Sequence, residues 1–324
     1  MKKIILLPFI SLLFLVEVIC QKNIPQAEIK NELIHARLYL PDVKNGYYRG
    51  SRFDWAGVIP SLVYKGHQYF GQWFEKYSPT LHDAIMGPVE AFAPIGYEET
   101  KVGNQFLVIG VGMVTKPEEA KYAISTPYKL VHAGKWKVKA KPDQVDFTHT
   151  LKGAKYAYEY KKTVALTAGK PDLVLTHSLK NRGKATIETT VYNHNFFVMD
   201  STTIGPGYEV KFPFSISGEA RDNPDLVTIE ASHIILVKDI LPKKFLYFAG
   251  IEGFGPSYKD YNISIENHKT GAGVRITSDQ PIFKLPLWSA TKTLCPEPYI
   301  KLSIPPGETF KWSILYEFYE CEIN

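Results

Sequence analysis

The stretch "TTVYNHNFFVMD", residues 189–200, decides the fold prediction for this chain. Its β-branched and aromatic residues are typical of a β-strand, in which alternate side chains share a face. One face then carries Thr190, Tyr192, His194 and Phe196, and the other carries Val191, Asn193, Asn195 and Phe197. An imidazole on this aromatic face is either a hydrogen-bonded structural histidine or a proton donor in a pocket for a ligand with hydroxyl groups.

Similar strand patterns recur along the chain, separated by turn clusters such as NRGK (181–184) and RDNPD (221–225). They cover residues 106–114, 145–151, 156–166, 172–181, 210–217, 227–237, 262–268, 272–279 and 310–319. In the last of these, apolar and polar residues alternate, as in a half-buried antiparallel strand. Helical periodicity is scarce, and its best window is 26–39. We predict an all-β sandwich of large antiparallel sheets.

The N-terminus has the pattern of a secretory signal, with Lys2 and Lys3 before an apolar run from Ile4 to Val16. We predict a signal peptide over residues 1–20, cleaved after Cys20, and a single domain over 21–324. Lipid attachment at Cys20 is the alternative. Because no other run is long and apolar enough to span a bilayer, we expect an exported protein, periplasmic or secreted, without a transmembrane segment.

The charge pattern excludes an obvious nucleic-acid binder. The formal net charge is +5, and it falls to +4 if the signal peptide, with two lysines and Glu17, is removed. The basic residues are dispersed, so we expect no nucleic-acid partner.

Two cysteines, Cys295 and Cys321, remain after residue 20. An oxidising compartment would permit a disulfide between them if the strand before Cys321 returned past residue 295. Their spacing does not form a metal-binding cysteine cluster, and we expect neither a metal nor another cofactor.

Two segments concentrate ionisable residues. In "YYRGSRFDWAG" (47–57), taken as a strand, Arg52 and Asp54 share a face and form either a fork for sugar hydroxyls or a simple ion pair. In "SPTLHDAIMGPVEAF" (78–92), His82, Asp83 and Glu90 stand on either a functional loop or a solvated connection.

A glutamate and a histidine need separate interpretations. Glu297 lies between Pro296 and Pro298, whose fixed φ holds the backbone, so its carboxylate can be aimed as a general base or simply occupy a turn. His177 is predicted to be structural, because it shares a strand face with leucines 173, 175 and 179.

Together these segments resemble the galactose mutarotase-like (aldose 1-epimerase) superfamily. The resemblance lies in residues 175–200 and 277–318: an N-x-G strand end, a strand with Asn-His, a C-x-E glutamate and a P-G-E turn. The matching residues are Asn181, Gly183, Asn193, His194, Cys295, Glu297, Pro306, Gly307 and Glu308. The superfamily's first active-site histidine has no clean counterpart, and His82 is the nearest candidate. Its sugar-binding aspartate is missing from 243–255.

The resemblance implies a β-supersandwich with a carbohydrate cleft. In the superfamily's epimerases a glutamate and a histidine act at the anomeric centre without a metal. Carried over, Glu297 would take the proton of the C1 hydroxyl and His194 would protonate the ring oxygen. We expect the two side chains to line one cleft, on opposite sides of a sugar-sized space. The expected substrate-binding residues are Arg52, Asp54, His82, Asp83, Glu90, Tyr192 and Trp288.

Two other functions stay open, since one fold hosts many. The protein is alternatively a non-catalytic glycan-binding module, or a polysaccharide lyase or glycoside hydrolase that uses His194 with Tyr192 or Glu297. The aromatic residues expected to stack on sugars in a binding module are Trp55, Trp73, Trp288 and Tyr192. The sequence names neither the sugar nor the oligomeric state.

Overall fold

The computed structural model describes residues 24–118, 121–153 and 155–324, which form 23 β-strands and three short 3₁₀ helices. The predicted signal peptide (1–20) and Cys20 lie outside these residues, so export and lipid attachment stay predictions. The prediction of one domain over 21–324 also stays a prediction. Within the described ranges, no helix has the length and apolar character needed to cross a bilayer.

The strands are numbered in chain order. The first twelve are β1 Gln26–Lys30, β2 Ile34–Tyr39, β3 Val58–Tyr64, β4 His67–Gln68, β5 Gly87–Phe92, β6 Gln105–Val108, β7 Gly112–Thr115, β8 Leu130–His132, β9 Lys135–Ala140, β10 Gln144–Leu151, β11 Tyr158–Leu166 and β12 Asp172–Asn181. The others are β13 Ile187–Phe196, β14 Tyr208–Lys211, β15 Val227–Glu230, β16 His233–Leu236, β17 Phe245–Phe248, β18 Asn262–Asn267, β19 Ala272–Ser278, β20 Leu287–Ala290, β21 Thr293–Pro296, β22 Tyr299–Ile304 and β23 Thr309–Glu320. The 3₁₀ helices are Met199–Ser201, Pro224–Leu226 and Tyr258–Asp260.

A ten-stranded antiparallel sheet forms the base of the molecule, in the order β15-β16-β14-β18-β19-β23-β12-β11-β10-β9. Its residues alternate between buried and more exposed positions, as the sequence pattern predicts. In β23 the buried face carries Trp312, Ile314, Tyr316 and Phe318. The predicted all-β class with large antiparallel sheets is therefore confirmed.

A smaller sheet, β22-β13-β5, carries the opening stretch in its central strand. The predicted faces of that stretch are correct: Val191 and Phe197 lie in the main core, whereas Tyr192 and Phe196 lie in a second aromatic cluster. The remaining sheets are β1-β2-β3-β4, β17-β20-β21 and β6-β7-β8. The main core fills the space between the ten-stranded sheet and the smaller ones.

Two local predictions are wrong. The helix-like window 26–39 forms the antiparallel strands β1 and β2, whose apolar residues Ile29, Ile34 and Leu38 complete the core. Tertiary packing overrides weak helical periodicity here. Residues 47–57 contain no strand but form a buried series of bends and turns, so the faces predicted from alternation do not apply there.

The proposed disulfide is also wrong, because Cys295 and Cys321 are both free. The strand before Cys321 is β23, which pairs with β12 and β19 and not with β21, where Cys295 lies. The thiol of Cys295 is fully buried, whereas Cys321 is partly exposed beside Ala272.

Candidate active site

A cleft of about 550 Å³ lies over the aromatic face of β13. Alternation along the strand directs Thr190, Tyr192, His194 and Phe196 into the cleft. The other lining residues are Arg52, Asp83, Ala91, Phe92, Ala93, Pro94, Tyr122, Ile124, Arg221, Phe245, Tyr247, Trp288, Glu297 and Tyr299. The lining is mostly aromatic and aliphatic with a few ionisable groups, which is the usual composition of a small-molecule site.

The imidazole of His194 is held by aromatic rings. It stacks on Phe196 with ring centroids 3.8 Å apart and meets the edges of Phe53 at 5.6 Å and Trp288 at 6.0 Å. Only 3% of the side chain is exposed. This packing fixes the orientation of the ring, as a proton-transfer group requires.

Glu297 occupies the short connection between β21 and β22. Its backbone N–H donates to the Pro286 carbonyl oxygen at 2.9 Å. The carbonyl of the preceding Pro296 accepts a hydrogen bond of 2.8 Å from Nδ2 of Asn195, on the core face of β13. The N–H and the C=O of the Pro296–Glu297 peptide group are therefore both held by hydrogen bonds, which fixes the backbone that carries the carboxylate.

The structure brings the two predicted catalytic residues together, with His194 Nε2 3.1 Å from Glu297 Oε1. The expectation that they stand on opposite sides of a sugar-sized space is wrong. The β13 and β21–β22 segments are adjacent in the small sheets, so the two side chains meet directly at one wall of the cleft.

Burial shifts the protonation of both groups. Burial raises the pKa of Glu297 to about 7, against the opposing attraction of the Arg52 guanidinium. Burial and the positive charge of Arg52 lower the pKa of His194 well below its usual value. Below about pH 7 the pair therefore holds one proton, on the carboxyl group rather than on the imidazole.

Arg52 lines the cleft, but its carboxylate partner is Asp83 and not Asp54, the partner predicted from sequence. Its guanidinium donates to the carboxylate of Asp83 and to the Tyr192 hydroxyl, the latter at 3.1 Å. His82 does not line the cleft, but its Nε2 lies 2.9 Å from the other oxygen of Asp83. The ion pairs with His82 and Arg52 outweigh the effect of burial and lower the pKa of Asp83. A His82–Asp83–Arg52 chain thus supports one side of the cleft.

Asp54 and Glu90 do not line the cleft as predicted for substrate-binding residues, because both are buried in the protein interior. Glu90 faces the core because it is the partner of Asn193 across β5 and β13, on the face opposite His194. It accepts hydrogen bonds from Lys162 and, at 3.2 Å, from Asn193 Nδ2. Burial raises the pKa of Asp54 to about 7.

His177 lies in this same buried network, as its leucine-rich face predicts. Its Nε2 is 2.7 Å from Glu90 Oε1, and its ring stacks on Trp312 with centroids 4.5 Å apart. Both His177 and Glu90 have fully buried side chains, so the pair has no access to the cleft.

The predicted aromatic residues divide into two groups. Trp288 and Tyr192 line the cleft, and Tyr192 stacks on Tyr299 at 4.3 Å. Trp55 is 2% exposed, and Trp73 packs on Phe196 while its indole N–H donates to Ile85 O. Neither Trp55 nor Trp73 is placed to stack on a sugar in the cleft.

Several cleft residues escaped the sequence analysis. Tyr299 could have been predicted from sequence, because it is the first residue of the strand after the Pro-Glu-Pro segment and therefore lies close to Glu297. Arg221, Phe245 and Tyr247 come from a different sheet and its adjoining turn, with the Arg221 guanidinium 4.5 Å from the Tyr247 ring centroid. Their approach depends on packing between sheets, which no local pattern encodes.

The architecture is that of the galactose mutarotase-like β-supersandwich. The solved structures that share it include three with a TM-score of 0.55. A galactose mutarotase-like protein from Lactobacillus casei is 13% identical, and the alignment covers 91% of this chain and 100% of the other. A GalM/aldose epimerase homologue from C. elegans is 14% identical, covering 92% and 100%. A galactose mutarotase related enzyme from Lactobacillus acidophilus is 12% identical, covering 92% and 98%.

At these identities the likeness confirms the predicted fold and shows the fold alone. No family model and no curated protein matches the sequence.

Proposed function

We propose that this protein binds a sugar in the cleft and interconverts its anomers by acid–base catalysis with Glu297 and His194. The observation that supports this most directly is the 3.1 Å approach of His194 Nε2 to Glu297 Oε1 within an aromatic cleft. Aromatic rings suit the apolar face of a sugar, and the charged groups suit its hydroxyls.

The adjacency of the two groups fits the chemistry of a hemiacetal. The hydroxyl oxygen and the ring oxygen of a cyclic sugar are both bonded to C1. A base for the first and an acid for the second can therefore work close together, on one side of the cleft. Groups on opposite walls are not required.

The pair needs one proton to work. In ring opening, the unprotonated member takes the proton of the C1 hydroxyl while the protonated member gives its proton to the ring oxygen, and the C1–O bond breaks to leave an aldehyde. Rotation about C1–C2 and closure then reverse both transfers. Each residue is acid in one half of the cycle and base in the other, so the role taken from the resemblance, Glu297 as base, describes one direction only.

Arg52 and Tyr192 extend this arrangement. Arg52 is 8% exposed and held by Asp83, so its charge is fixed near the catalytic pair. Charge developing on a sugar oxygen during ring opening would be stabilised by such a preorganised donor. The stacked Tyr192 and Tyr299 rings would form the platform for the sugar.

The test is the rate of anomer exchange, measured by saturation-transfer NMR with α-glucose, α-galactose and the corresponding uronic acids. We expect exchange above the spontaneous rate for at least one sugar. The matched control is Glu308→Gln, an exposed glutamate changed in the same way, which should keep full activity.

The second candidate is a non-catalytic glycan-binding protein, favoured by the aromatic lining of the cleft. Binding of a sugar without any exchange, seen in the same NMR samples, would support that candidate and refute the first. Release of an unsaturated uronate from a polysaccharide would instead indicate a lyase. We also propose that the protein acts outside the cytoplasm, which N-terminal sequencing of protein from the cell envelope and medium would test.

A further inference from the structure

A second cluster of ionisable side chains lies outside the cleft, where β14, β18 and the end of β23 meet. Glu209 belongs to β14, Glu266 to β18, His268 to the turn after β18, and Cys321 follows β23. None of the four lines the cleft. The acid–base chemistry proposed above makes no use of them.

The donor atoms of Glu266, His268 and Cys321 all lie within 4.8 Å of one another. His268 Nε2 is 3.2 Å from Glu266 Oε2 and 3.3 Å from Glu209 Oε2. The side chains of Glu209, Glu266 and His268 are between 11% and 15% exposed, so the cluster is shielded but open to ions.

The other ring nitrogen of His268 fixes how the ring is presented. Its Nδ1 is 2.8 Å from the carbonyl oxygen of Glu322, and because a carbonyl only accepts, Nδ1 carries the hydrogen. In the neutral ring the lone pair is then on Nε2, which faces the two carboxylates. A backbone carbonyl that orients the distal nitrogen of a histidine is the usual support of a metal-binding imidazole.

Backbone hydrogen bonds hold the segment that carries Cys321 against the turn that carries His268. Cys321 N–H donates to the Gly271 carbonyl at 2.8 Å, and Asn324 N–H donates to the His268 carbonyl at 3.1 Å. The segment after β23 therefore runs along the 268–271 turn. The donor atoms are brought together before any ion arrives.

We propose that this cluster is a zinc site, with His268 Nε2, a Glu266 carboxylate oxygen and Cys321 Sγ as ligands and the Glu209 carboxylate in the fourth position. Imidazole, thiolate and carboxylate are the ligand types that zinc prefers, whereas calcium and magnesium avoid sulfur and nitrogen. As the Zn–S bond forms, the thiol proton of Cys321 passes to solvent. The site fastens the C-terminal segment to the β18–β19 turn.

Lys211 is the competing cation. Its ammonium group is 2.7 Å from Glu266 Oε2 and 3.3 Å from Glu209 Oε2. His233 Nδ1 contacts the other oxygen of Glu209. Because the Lys211 side chain is 32% exposed, it can turn towards solvent when zinc neutralises the carboxylates. Removing this ammonium should therefore tighten zinc binding.

The experiment starts from the full chain, stripped of metal with a chelator and titrated with Zn²⁺ or Co²⁺. We expect one ion per chain, a near-ultraviolet thiolate-to-cobalt band, and a higher Tm with zinc. His268→Gln and Cys321→Ser should each weaken zinc binding by more than about 100-fold, since even outer partners of metal ligands contribute 10–100-fold. Lys211→Met should strengthen binding several-fold.

The matched control is His35→Gln. His35 is an exposed histidine whose Nε2 lies 3.3 Å from Glu28 Oε2, a pair that contains none of the proposed ligands, so this substitution should leave zinc affinity unchanged. A readout without mutation is alkylation of Cys321, which zinc should block in the wild-type protein. Equal zinc affinity in wild type and His268→Gln, or alkylation of Cys321 at the same rate with and without zinc, would overturn the proposal and leave an ion-pair network centred on Lys211.

Discussion

The carboxamide Nδ2 of Asn195 donates to the backbone carbonyl of Pro296 across 2.8 Å. This hydrogen bond joins the core face of β13 to the segment that presents Glu297. The Oδ1 atom of the same carboxamide accepts from the Tyr316 hydroxyl at 2.8 Å, which extends the link to the ten-stranded sheet. One side chain behind the cleft thus ties the histidine strand, the glutamate segment and the main core together.

Replacing Asn195 with Ala should lower kcat for anomer exchange more than it changes KM, because Glu297 loses its alignment while the sugar platform stays. Stability should fall by about 1–3 kcal/mol, the usual cost of leaving buried polar partners unsatisfied. Thr189→Val is the control, since it removes a partly buried hydrogen bond to Ala93 O on the same strand face. A loss of stability in both variants with unchanged kcat would mean that Asn195 is purely structural.

Replacing Glu297 with Gln should lower the exchange rate by about 10²- to 10⁴-fold, the usual contribution of a positioned proton-transfer group. The same change should stabilise the fold at high pH. The pKa of Glu297 is raised in the folded state from 4.5 to about 7, so its ionisation costs folding free energy as the pH rises through this range. The difference between variant and wild type in urea unfolding should grow from pH 4.5 to 7 by up to about 3 kcal/mol. Unchanged turnover in Glu297→Gln would move the chemistry elsewhere in the cleft.

The pH profile of kcat/KM should be bell-shaped, because only the pair with one proton is competent. Activity should fall above about pH 7 as Glu297 loses its proton, and fall in acid as His194 gains one at a pH well below its usual pKa. NMR exchange rates, corrected for the buffer-catalysed reaction, give the profile. A rate that still rises between pH 7 and 9 would contradict the proposed proton count.

Breaking the buried ion pair behind the cleft should act on stability. Lys162→Met leaves the Glu90 carboxylate without its cationic partner inside the core and should cost roughly 3–5 kcal/mol. His177→Asn should also chiefly destabilise the fold. Lys65→Met, at an exposed pair with Glu320, should leave Tm almost unchanged. Equal Tm values for Lys162→Met and Lys65→Met would refute the buried network as a stabilising element.

Limited proteolysis should trim the N-terminus and leave the rest of the chain intact, because strand patterns continue from about residue 25 without a linker. Mass spectrometry of the protected product gives its boundaries. Two stable fragments of similar size would contradict the prediction of one domain over 21–324.

The local alternation of side chains could be predicted from sequence. The faces of β13 are correct residue by residue, since the period of a strand is two and depends only on neighbours along the chain. The window 26–39 and the segment 47–57 show the limit of such patterns. In residues 26–39, apolar residues with weak helical spacing pack into the core from two β-strands. Residues 47–57 form a buried loop, in which the side chains follow no regular alternation.

The partners of the charged residues were decided by tertiary structure. Arg52 pairs with Asp83 and not with Asp54, which is two residues away, because the loop turns Asp54 into the core. Glu90 pairs with Lys162 and His177 because β5 places it on the core face and not on the face that lines the cleft.

The sequence by itself determined the all-β class, the aromatic face around His194 and the position of Glu297 between two prolines. Each of these follows from side chains close together along the chain. Only the tertiary structure decided that His194 and Glu297 touch, that Arg221 and Tyr247 complete the cleft, and that Cys321 lies beside Glu266 and His268. Those contacts join strands of different sheets or distant segments, and long-range packing determines which of them meet.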